Sequence, residues 1–397
     1  MSANRWGRWI RRVLATGRSQ HIRQLRRRPL HLEMLEERVT PATFIWTGAG
    51  NNNNWSNPNN WQGGVAPTSA ANPDLVFPSG AARLTNTNDI SGLVVRSITF
   101  SGSNYRLQGS PITLAGNIFV ATGVSNILMT MSSITLTTTV GVTVNNLADL
   151  TITSSINGAA TAVLTKLGPG NLTLSGSNVS YLAPIDIQSG RLIITNVNAL
   201  GATTAPTIVN TNAQLQIRNI PNPINEPLII NGFGPSNDGA LYNAVGNSVW
   251  AGTITLDSNS SIGVAGGTTL NVTGLVTDTG AGRDLTKVGP GQLIFSRTGG
   301  NTYRGTTTIN NGILTIRDPQ SLGAGSIFGA PQSGTPQART IVNYNPITNE
   351  AGTLQLEFIP LTSTNPPPTL AVGDPNGILQ NPSQPYNPTT NPYVGFQ

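Results

Sequence analysis

The chain lacks cysteine altogether, and its other reactive side chains are few. With no Cys among 397 residues, neither disulfide bonds nor thiol chemistry is available. The only two histidines, His21 and His31, lie within the first forty residues, so the rest of the chain has no imidazole base or metal ligand. No Gly-x-Ser-x-Gly turn, phosphate-binding loop or His-rich metal spacing occurs. These absences exclude the commonest catalytic and metal-binding arrangements.

Charged residues are also scarce, and they are unevenly placed. Only 10% of the residues are charged, against roughly 25% in typical globular domains. The net charge of +6 is a poor guide to partners, because residues 1–40 hold ten Arg and three Glu whereas residues 41–397 hold 12 basic and 13 acidic residues. The basic character therefore belongs to the N-terminal segment, and we expect no nucleic-acid partner.

One stretch of the sequence occurs twice. Both copies begin with the motif LTK-x-GPG, at Leu164 and at Leu285, an offset of 121 residues (285 − 164 = 121). The offset becomes 122 before the tyrosine of each copy, Tyr181 and Tyr303. Repetition at a fixed period indicates stacked units and not one closed core.

Each copy consists of short apolar segments separated by turn residues. Thr, Val and Ile favour strands, whereas Gly-Pro-Gly and Asn-Asn-Gly favour turns. The sequence INNGI at 309–313 is compatible with a tight hairpin, which would imply an antiparallel sandwich. It is equally compatible with a corner between two strands of a parallel β-helix. Local chemistry does not decide between these two interpretations.

The second copy resembles the autotransporter-associated β-strand repeat of bacterial surface proteins. It carries LTK-x-GPG-x-L-x-x-S followed by Y-x-G-x-T-x-I-x-x-G-x-L-x-I, including Tyr303, Gly305 and Gly312. The first copy departs from this pattern where LAP follows Tyr181. The segment from Trp46 to Pro67 is similar to one that often opens such passengers. The resemblance implies turns of a right-handed parallel β-helix in an exported passenger region.

We therefore predict an all-β protein, a right-handed parallel β-helix or solenoid, with a short N-terminal basic helix and a disordered Pro-rich tail. At about 22 residues per turn, residues 44–358 would make roughly 14 turns. The predicted divisions are a basic leader or targeting segment (1–42), an N-terminal cap with degenerate β rungs (43–133), a first repeat module (134–249), a second repeat module (250–358) and a Pro/Asn-rich tail (359–397). The residues predicted to point inward in the second copy are Leu293, Phe295, Ile309, Leu314 and Ile316.

The leader, residues 1–42, is interpreted as a targeting segment. Its apolar residues from Trp6 to Leu14 follow helical spacing among arginines. It contains no apolar run of about 7–15 residues of the kind that a secretory signal requires. Residues 28–42 resemble a basic leader ending in LE-x-LE-[DE]-R-x-x-P-A, which is thought to mark export of β-rich surface proteins. A plain basic tail or a membrane-surface helix is the alternative.

Three tryptophans, Trp46, Trp55 and Trp61, flank a run of asparagines at 51–54. Exposed rings would form a platform that stacks on sugar rings. Buried rings would instead cap the open end of the solenoid, which terminal repeats require. We favour the cap.

Catalysis would have to rest on the sparse carboxylates, as in the polysaccharide lyases and glycosidases that share the parallel β-helix. The best cluster is Asp278, Arg283, Asp284 and Lys287. Lys287 corresponds to Lys166 of the first copy, where the matching turn lacks the acids, and these are the chain's only two lysines. We therefore expect both lysines at exposed corners. We predict no catalytic, cofactor-binding or metal-binding residue and no cofactor.

The predicted function is that of a non-enzymatic bacterial surface protein, a structural or adhesin-like β-helix passenger that is secreted or displayed on the cell. The alternative is a polysaccharide-binding or polysaccharide-degrading protein. Its partner is not identified by the sequence, although a cell-surface polysaccharide or another surface protein would suit. No apolar span is long enough for a transmembrane helix.

Overall fold

The computed structural model describes residues 42–280, 282–324, 340–345 and 350–357. All of them fall within residues 39–397, one of the two units into which the chain divides. The predicted basic helix of the leader, with His21 and His31, lies outside the described residues. So does the predicted Pro-rich tail at 359–397, and so do parts of the second repeat module.

The described chain forms a parallel β-solenoid of about 11 turns with almost no helix. Each full turn passes through three strand positions, here called face 1, face 2 and face 3. Within the described residues, every pairing between strands is parallel except that of β31 with β32 near the C-terminal end. The all-β parallel solenoid is therefore confirmed, while its right hand stays a prediction.

Strands are numbered in chain order. Face 1 holds β1 (Thr43–Ile45), β2 (Asp74–Phe77), β5 (Ser97–Phe100), β8 (Ile118–Val120), β11 (Val140–Val144), β14 (Leu164–Leu167), β16 (Ile185–Ile187), β18 (Thr207–Val209), β20 (Leu228–Gly232), the first part of β23 (Ile254–Val264) and β25 (Val276–Asp278). Face 2 holds β3 (Thr85–Asn88), β6 (Arg106–Gly109), β9 (Ile127–Met131), β12 (Asp149–Ile152), β15 (Asn171–Leu174), β17 (Gly190–Ile194), β19 (Ala213–Arg218), β21 (Leu241–Val245), the second part of β23, β26 (Leu285–Val288), β28 (Thr307–Ile309) and β30 (Thr340–Val342).

Face 3 is built from two separate sheets. The first sheet holds β4 (Leu93–Val95), β7 (Ile112–Leu114), β10 (Ser133–Leu136) and β13 (Ser155–Gly158). The second holds β22 (Asn247–Trp250), β24 (Thr269–Val272), β27 (Gln292–Phe295), β29 (Gly312–Ile316), β32 (Glu350–Leu356) and its antiparallel partner β31 (Tyr344–Asn345). Two 3-10 helices, Pro58–Asn60 and Ser69–Ala71, precede β2. Between the two sheets, face 3 follows an irregular path.

The interior is filled by columns of apolar side chains that stack from one turn to the next. On face 2, for example, Leu150, Leu172 and Leu192 are register partners in successive turns and are fully buried. Alternate residues of a strand point to opposite sides, so each apolar triplet supplies two inward side chains. The five residues predicted to point inward in the second copy are 0–3% exposed, which confirms their assignment.

The ambiguous INNGI segment is a corner and not a hairpin. β28 ends at Ile309 on face 2, and β29 begins at Gly312 on face 3. Each strand pairs in parallel with the turns before and after it, and the two do not pair with each other. The hairpin interpretation, with its antiparallel sandwich, is therefore wrong.

The two copies of the repeat lie on different faces. The first LTK strand, β14, stacks between β11 and β16 on face 1. Five steps further along that face the chain reaches β25, and the second LTK strand, β26, follows it on face 2. The 121-residue offset therefore corresponds to five turns plus one face. β15 on face 2 is matched in the same way by β27 on face 3.

The predicted number of turns was too high. The structure has about 11 turns and not 14, because turns differ in length. Leu172 stacks on Leu192 after a short turn, whereas Phe44 stacks on Leu75 across the whole tryptophan segment. A fixed number of residues per turn could not anticipate these long connections.

Candidate functional site

The predicted cluster at 278–287 is held together by contacts with the backbone. The Asp278 side chain is 2% exposed, and its Oδ1 lies 2.6 Å from Nη2 of Arg304 in the next turn. The backbone N–H groups of Arg304 and Gly280 also donate to this carboxylate, at 2.7 and 2.9 Å. Burial opposes ionisation of Asp278, but these hydrogen bonds outweigh it and lower the pKa to about 2. Asp278 is therefore a fixed carboxylate that secures a turn.

Asp284 has a similar role in the same turn, just before β26. Its Oδ1 accepts the backbone N–H of Thr306 at 2.7 Å, and its Oδ2 lies 3.4 Å from the side-chain nitrogen of Asn259. Its own N–H donates to the side chain of Asn259. Asp284 thus connects three consecutive turns.

Lys287 does not belong to this cluster, and the expected exposed corner is wrong. Lys166 and Lys287 are 0% and 1% exposed and point into the solenoid. Lys166 Nζ donates to the carbonyl oxygens of Leu167, Gly168 and Ser189 at 3.0, 2.7 and 3.0 Å.

Lys287 makes the equivalent contacts in the second copy. Its Nζ donates to the carbonyls of Val288, Gly289 and Asn311 at 3.0, 2.6 and 3.0 Å. In both copies two of the carbonyls belong to the lysine's own corner and the third belongs to the next turn. Each amine therefore ties consecutive turns together from inside.

Burial and hydrogen bonding act in opposite directions on these amines. Burial lowers the pKa of both Lys166 and Lys287 to about 7, because the charged form loses its hydration. An ammonium has three N–H donors, and three carbonyls are present to accept them. A neutral amine would turn its lone pair towards one of those oxygens. The three carbonyls can therefore accept an ammonium, but burial is the larger effect, and the folded protein favours the neutral amine more than the unfolded chain does.

The Gly-Pro-Gly corner lies directly against a glycine of the next turn. That glycine begins the strand that pairs with the one following the corner, β17 in the first copy and β29 in the second. Gly190 has a φ of +70°, and a Cβ there would lie 2.5 Å from the carbonyl oxygen of Gly168. Gly312 has a φ of +71°, with the same 2.5 Å approach to Gly289. Any side chain at either position would force the corners of two turns apart.

A buried asparagine also connects turns in each copy. Asn178 accepts the N–H of Ile156 at 2.8 Å and donates to the carbonyl of Ala199 at 2.6 Å. Asn301 makes the same pair of bonds, with Val276 at 2.9 Å and Ser321 at 2.7 Å. The asparagine thus joins three consecutive turns.

The tyrosine of each copy is buried next to this asparagine. The Tyr181 hydroxyl accepts the N–H of Leu164 at 2.7 Å and lies 2.9 Å from the carbonyl oxygens of Ala162 and Pro184. The Tyr303 hydroxyl instead pairs with Oγ1 of Thr307 at 2.6 Å. Burial raises the pKa of both phenols well above its usual value, so they stay neutral. The repeated residues of the motif therefore serve to hold turns together.

The tryptophan segment presents no aromatic platform. Trp46, Trp55 and Trp61 are 0–2% exposed, and Trp61 meets the other two edge to face, at 5.1 and 6.1 Å between ring centroids. Trp55 Nε1 donates to the buried Oδ1 of Asn86 at 2.7 Å. Their faces are therefore not available to stack on a sugar.

Glu226 is a buried carboxyl that the sequence analysis did not single out. It is 4% exposed, and its Oε1 accepts the hydroxyl of the fully buried Thr207 at 2.8 Å. Burial raises the pKa of Glu226 to about 8, although the bonds from Thr207 partly oppose this. The residue lines a small, open cleft together with Asn198, Gly201 and Asn225, among others. Its burial follows the alternation of buried and exposed residues from Ile224 to Leu228, in a segment that precedes β20.

In the part of the chain that the structure describes, no three His, Asp or Glu side chains converge as metal ligands would. No described helix has the length and apolarity needed to cross a membrane.

Comparison with known proteins bears on the repeat alone. A model of the passenger-associated-transport-repeat family matches the chain at residues 164–194 and 285–316. Searches of curated proteins and of solved structures gave no match. The matched segments are the two copies described above, with their lysine, Gly-Pro-Gly corner and tyrosine. The similarity to the autotransporter-associated β-strand repeat is thereby confirmed, and the two segments are passenger-associated transport repeats of the kind carried by autotransporter passenger proteins.

Proposed function

We propose that the chain is a non-enzymatic, exported surface protein of bacteria, whose solenoid serves as a structural or adhesin-like passenger. The two transport repeats and the parallel solenoid fit a passenger domain. The repeat family is one of exported proteins, which supports placement on the cell surface or in the medium. A cell-surface polysaccharide or another surface protein is the partner that such a location favours.

The observation that carries this proposal is the use made of the repeated residues. Lys287, Gly312 and Asn301 all make contacts between consecutive turns, and none presents a reactive group to solvent. A repeat under selection for catalysis would instead keep acids and bases together in an open cleft. These residues support a role in building a stable rod.

The carboxylates at 278–284 support the same conclusion. Both oxygens of Asp278 accept hydrogen bonds, from Gly280 on one side and from Arg304 on both. Asp284 is occupied by Thr306 and Asn259. A lyase or glycosidase needs a carboxyl that is free to exchange a proton with its substrate. The polysaccharide-degrading alternative therefore gains no support from this cluster.

Export is tested by locating the protein in the cell that makes it. Cells would be fractionated, the surface digested with protease, and the mature N-terminus sequenced. We expect the body at the surface or in the medium, and loss of that location when residues 1–42 are deleted. Intracellular protein with an intact leader would contradict the proposal.

The absence of enzymatic activity is tested on the purified full chain. Pectin, alginate and other uronate polymers would be incubated with the protein, with and without Ca²⁺, and new reducing or unsaturated ends measured. We expect no turnover. Turnover that disappears in Asp284→Asn would make the enzyme interpretation the leading one.

A further inference from the structure

The outer side of face 1 carries a column of apolar and threonine side chains, here called the outer stripe. Strand pairing aligns one outward residue from each of the first six strands of this face: Ile45, Val76, Thr99, Phe119, Thr143 and Leu167. None of the six is buried, and Phe119 is 42% exposed. In β16 the next position of the column is the polar Gln188. At about 4.8 Å per strand, the stripe is about 29 Å long.

The strands that carry the outer stripe present almost no free charge to solvent. Their only charged residues are Asp74 and Lys166. Lys166 points inward, and Asp74 forms an ion pair with Arg96. A second molecule can therefore approach this face without leaving an ionic group unpaired.

A leucine in an unusual backbone conformation lies beside the stripe, at the corner after β11. Four corners, at residues 121–124, 145–148, 210–213 and 265–268, share a hydrogen bond from the fourth N–H to the first carbonyl. The third residue of each is left-handed, and these residues are Gly123, Leu147, Asn212 and Gly267. Every other described non-glycine residue with a positive φ is an asparagine.

Leu147 gains little from this position within one chain. Its φ is +55°, which is unfavourable for a leucine, and its side chain is 79% exposed. Strain of this kind is commonly kept where it serves a contact or a site. An exposed apolar side chain held in a strained corner indicates a contact with another molecule.

The order of residues in the outer stripe makes it complementary to itself. A second copy can lie against face 1 with its axis antiparallel and its strands running the same way. The facing pairs are then Ile45 with Leu167, Val76 with Thr143, and Thr99 with Phe119. The largest side chain of the stripe thus meets a small one, and each contact occurs twice, as two-fold symmetry requires. Leu147 of each copy lies beside the corner that follows β2 in the other.

We propose that the outer stripe is the interface of a homodimer, in which two solenoids pack antiparallel through face 1 with Phe119 and Leu147 as the main contacts. Residues 41–397 hold 12 basic and 13 acidic residues, so two such bodies repel each other little. The dimer goes beyond the proposed function and does not depend on it.

The size of the stripe sets the strength of the dimer. Strands of three to five residues are about 10–16 Å long, so the stripe and its flanks cover about 300–450 Å² on each copy. The total of about 600–900 Å² is below the roughly 1,200–2,000 Å² of stable complexes. We therefore expect a weak, reversible dimer with a Kd of about 10⁻⁴ M.

The test is sedimentation equilibrium of the purified full chain, from about 10 to about 500 µM, which brackets the expected Kd. The average mass should rise from that of one chain towards that of two. Phe119→Thr places in the stripe the residue type already present at Thr99 and Thr143, so it should fold normally. It should weaken the dimer at least about fivefold.

Leu147→Asn separates a role in association from a role in folding. Asparagine occupies the equivalent corner at Asn212, so the change relieves strain and should raise the melting temperature by roughly 1–3 °C. The same change should weaken the dimer at least about threefold. Val179→Asn is the matched control, since Val179 is 59% exposed and lies outside the stripe, and it should leave the dimer intact.

The orientation of the two copies can be tested with engineered cysteines, because the chain has none of its own. Val76→Cys and Thr143→Cys proteins would be mixed and oxidised with copper–phenanthroline. The mixture should form a disulfide-linked heterodimer faster than either protein links to itself, because the two positions face each other.

Three outcomes would overturn the dimer as proposed: a monomer at every concentration, an unchanged Kd in both Phe119→Thr and Leu147→Asn, or cross-linking that is no faster in the mixture. If Phe119→Thr does not fold, the Kd of Leu147→Asn decides alone. Failure here would leave the export proposal untouched, because that proposal is tested by location.

Discussion

Lys166 and Lys287 each donate from Nζ to three backbone carbonyls, and the two sets of carbonyls are equivalent although the lysines lie on different faces of the solenoid. In each set, one carbonyl comes from the following turn, that of Ser189 or of Asn311. The contact therefore belongs to the repeat itself and does not depend on the surrounding face. Its energetic role can be measured.

Lys166→Met and Lys287→Met should each destabilise the protein. Met fills most of the space but leaves three buried carbonyls without their donor, at a cost of about 1–3 kcal/mol for each that finds no other partner. Relief from burying the charge offsets part of this. We expect a net loss of about 2–4 kcal/mol, measured by chemical denaturation.

The two lysine variants should behave alike, because their contacts are the same. Arg106→Met, at an exposed position on β6, is the matched control and should change stability by less than about 0.5 kcal/mol. A lysine at an exposed corner would behave like this control. An equally small effect at Lys166 would show that its inward contacts contribute nothing.

The stability of the protein should pass through a minimum near pH 7. The pKa of Glu226 is raised by burial from 4.5 to about 8, so its contribution is complete below pH 4.5 and is lost as the pH rises to 8. The pKa of Lys166 and of Lys287 is lowered by burial from 10.5 to about 7, so their contribution is complete above pH 10.5 and is lost as the pH falls to 7.

The two arms of this pH profile can be separated by mutation. Denaturation would be followed from pH 5 to pH 10. Glu226→Gln should flatten the arm between pH 5 and 8, and the double variant Lys166→Met/Lys287→Met should flatten the arm between pH 7 and 10. A profile that does not respond to either change would contradict the assignment.

Asp278→Asn should loosen one corner. The change removes the charge that Arg304 and two backbone N–H groups bind, and we expect a loss of about 1–2 kcal/mol, since Arg304 is half exposed and partly screened by water. The lowered pKa means that this contribution is present above pH 3.8 and is lost as the pH falls through about 2. Asp257→Asn, at an exposed position, should have no measurable effect on the melting temperature.

Leu314→Asp should unfold the turn that contains it. Leu314 is fully buried between Leu293 and Leu354 of the neighbouring turns, and an unpaired charge there costs several kcal/mol, of order 3 or more. Pro290→Ala changes only the corner and should be mild. Thermal melts of the two variants distinguish them, and an unchanged melt for Leu314→Asp would refute the inward assignment.

The solenoid could be predicted from the sequence because its signal is local and repeated. Apolar triplets, Gly-Pro-Gly corners and a fixed offset occur in both copies, and the similarity of the second copy to a known repeat decided between corner and hairpin. The number of turns and the shift of the second copy by one face could not be predicted. Both depend on how many residues each connection uses, and this varies from turn to turn.

The inward direction of Lys166 carried a signal that was overlooked. Leu164 and Lys166 are two residues apart on one strand, and alternation places them on the same side. Since Leu164 must face the interior, Lys166 must as well. The expectation of an exposed corner rested on the cost of burying a charge, and three carbonyls in reach of Nζ reduce that cost. Glu226 carried a weaker form of this signal. It lies two residues before the buried Leu228, but Pro227 separates it from that strand, and its hydrogen-bond partner Thr207 comes from the turn before.

The one-face shift between copies sets the direction in which repeated features point. If the solenoid were lengthened by further modules of the same length, the lysine corner of each module would lie one face further around the axis than the corner of the module before it. Because the solenoid has three faces, the lysine corner of any module and that of the third module after it would lie on the same face. A rigid partner lying along one side of the rod would meet every third corner, whereas a partner that engaged consecutive corners would have to wind around it.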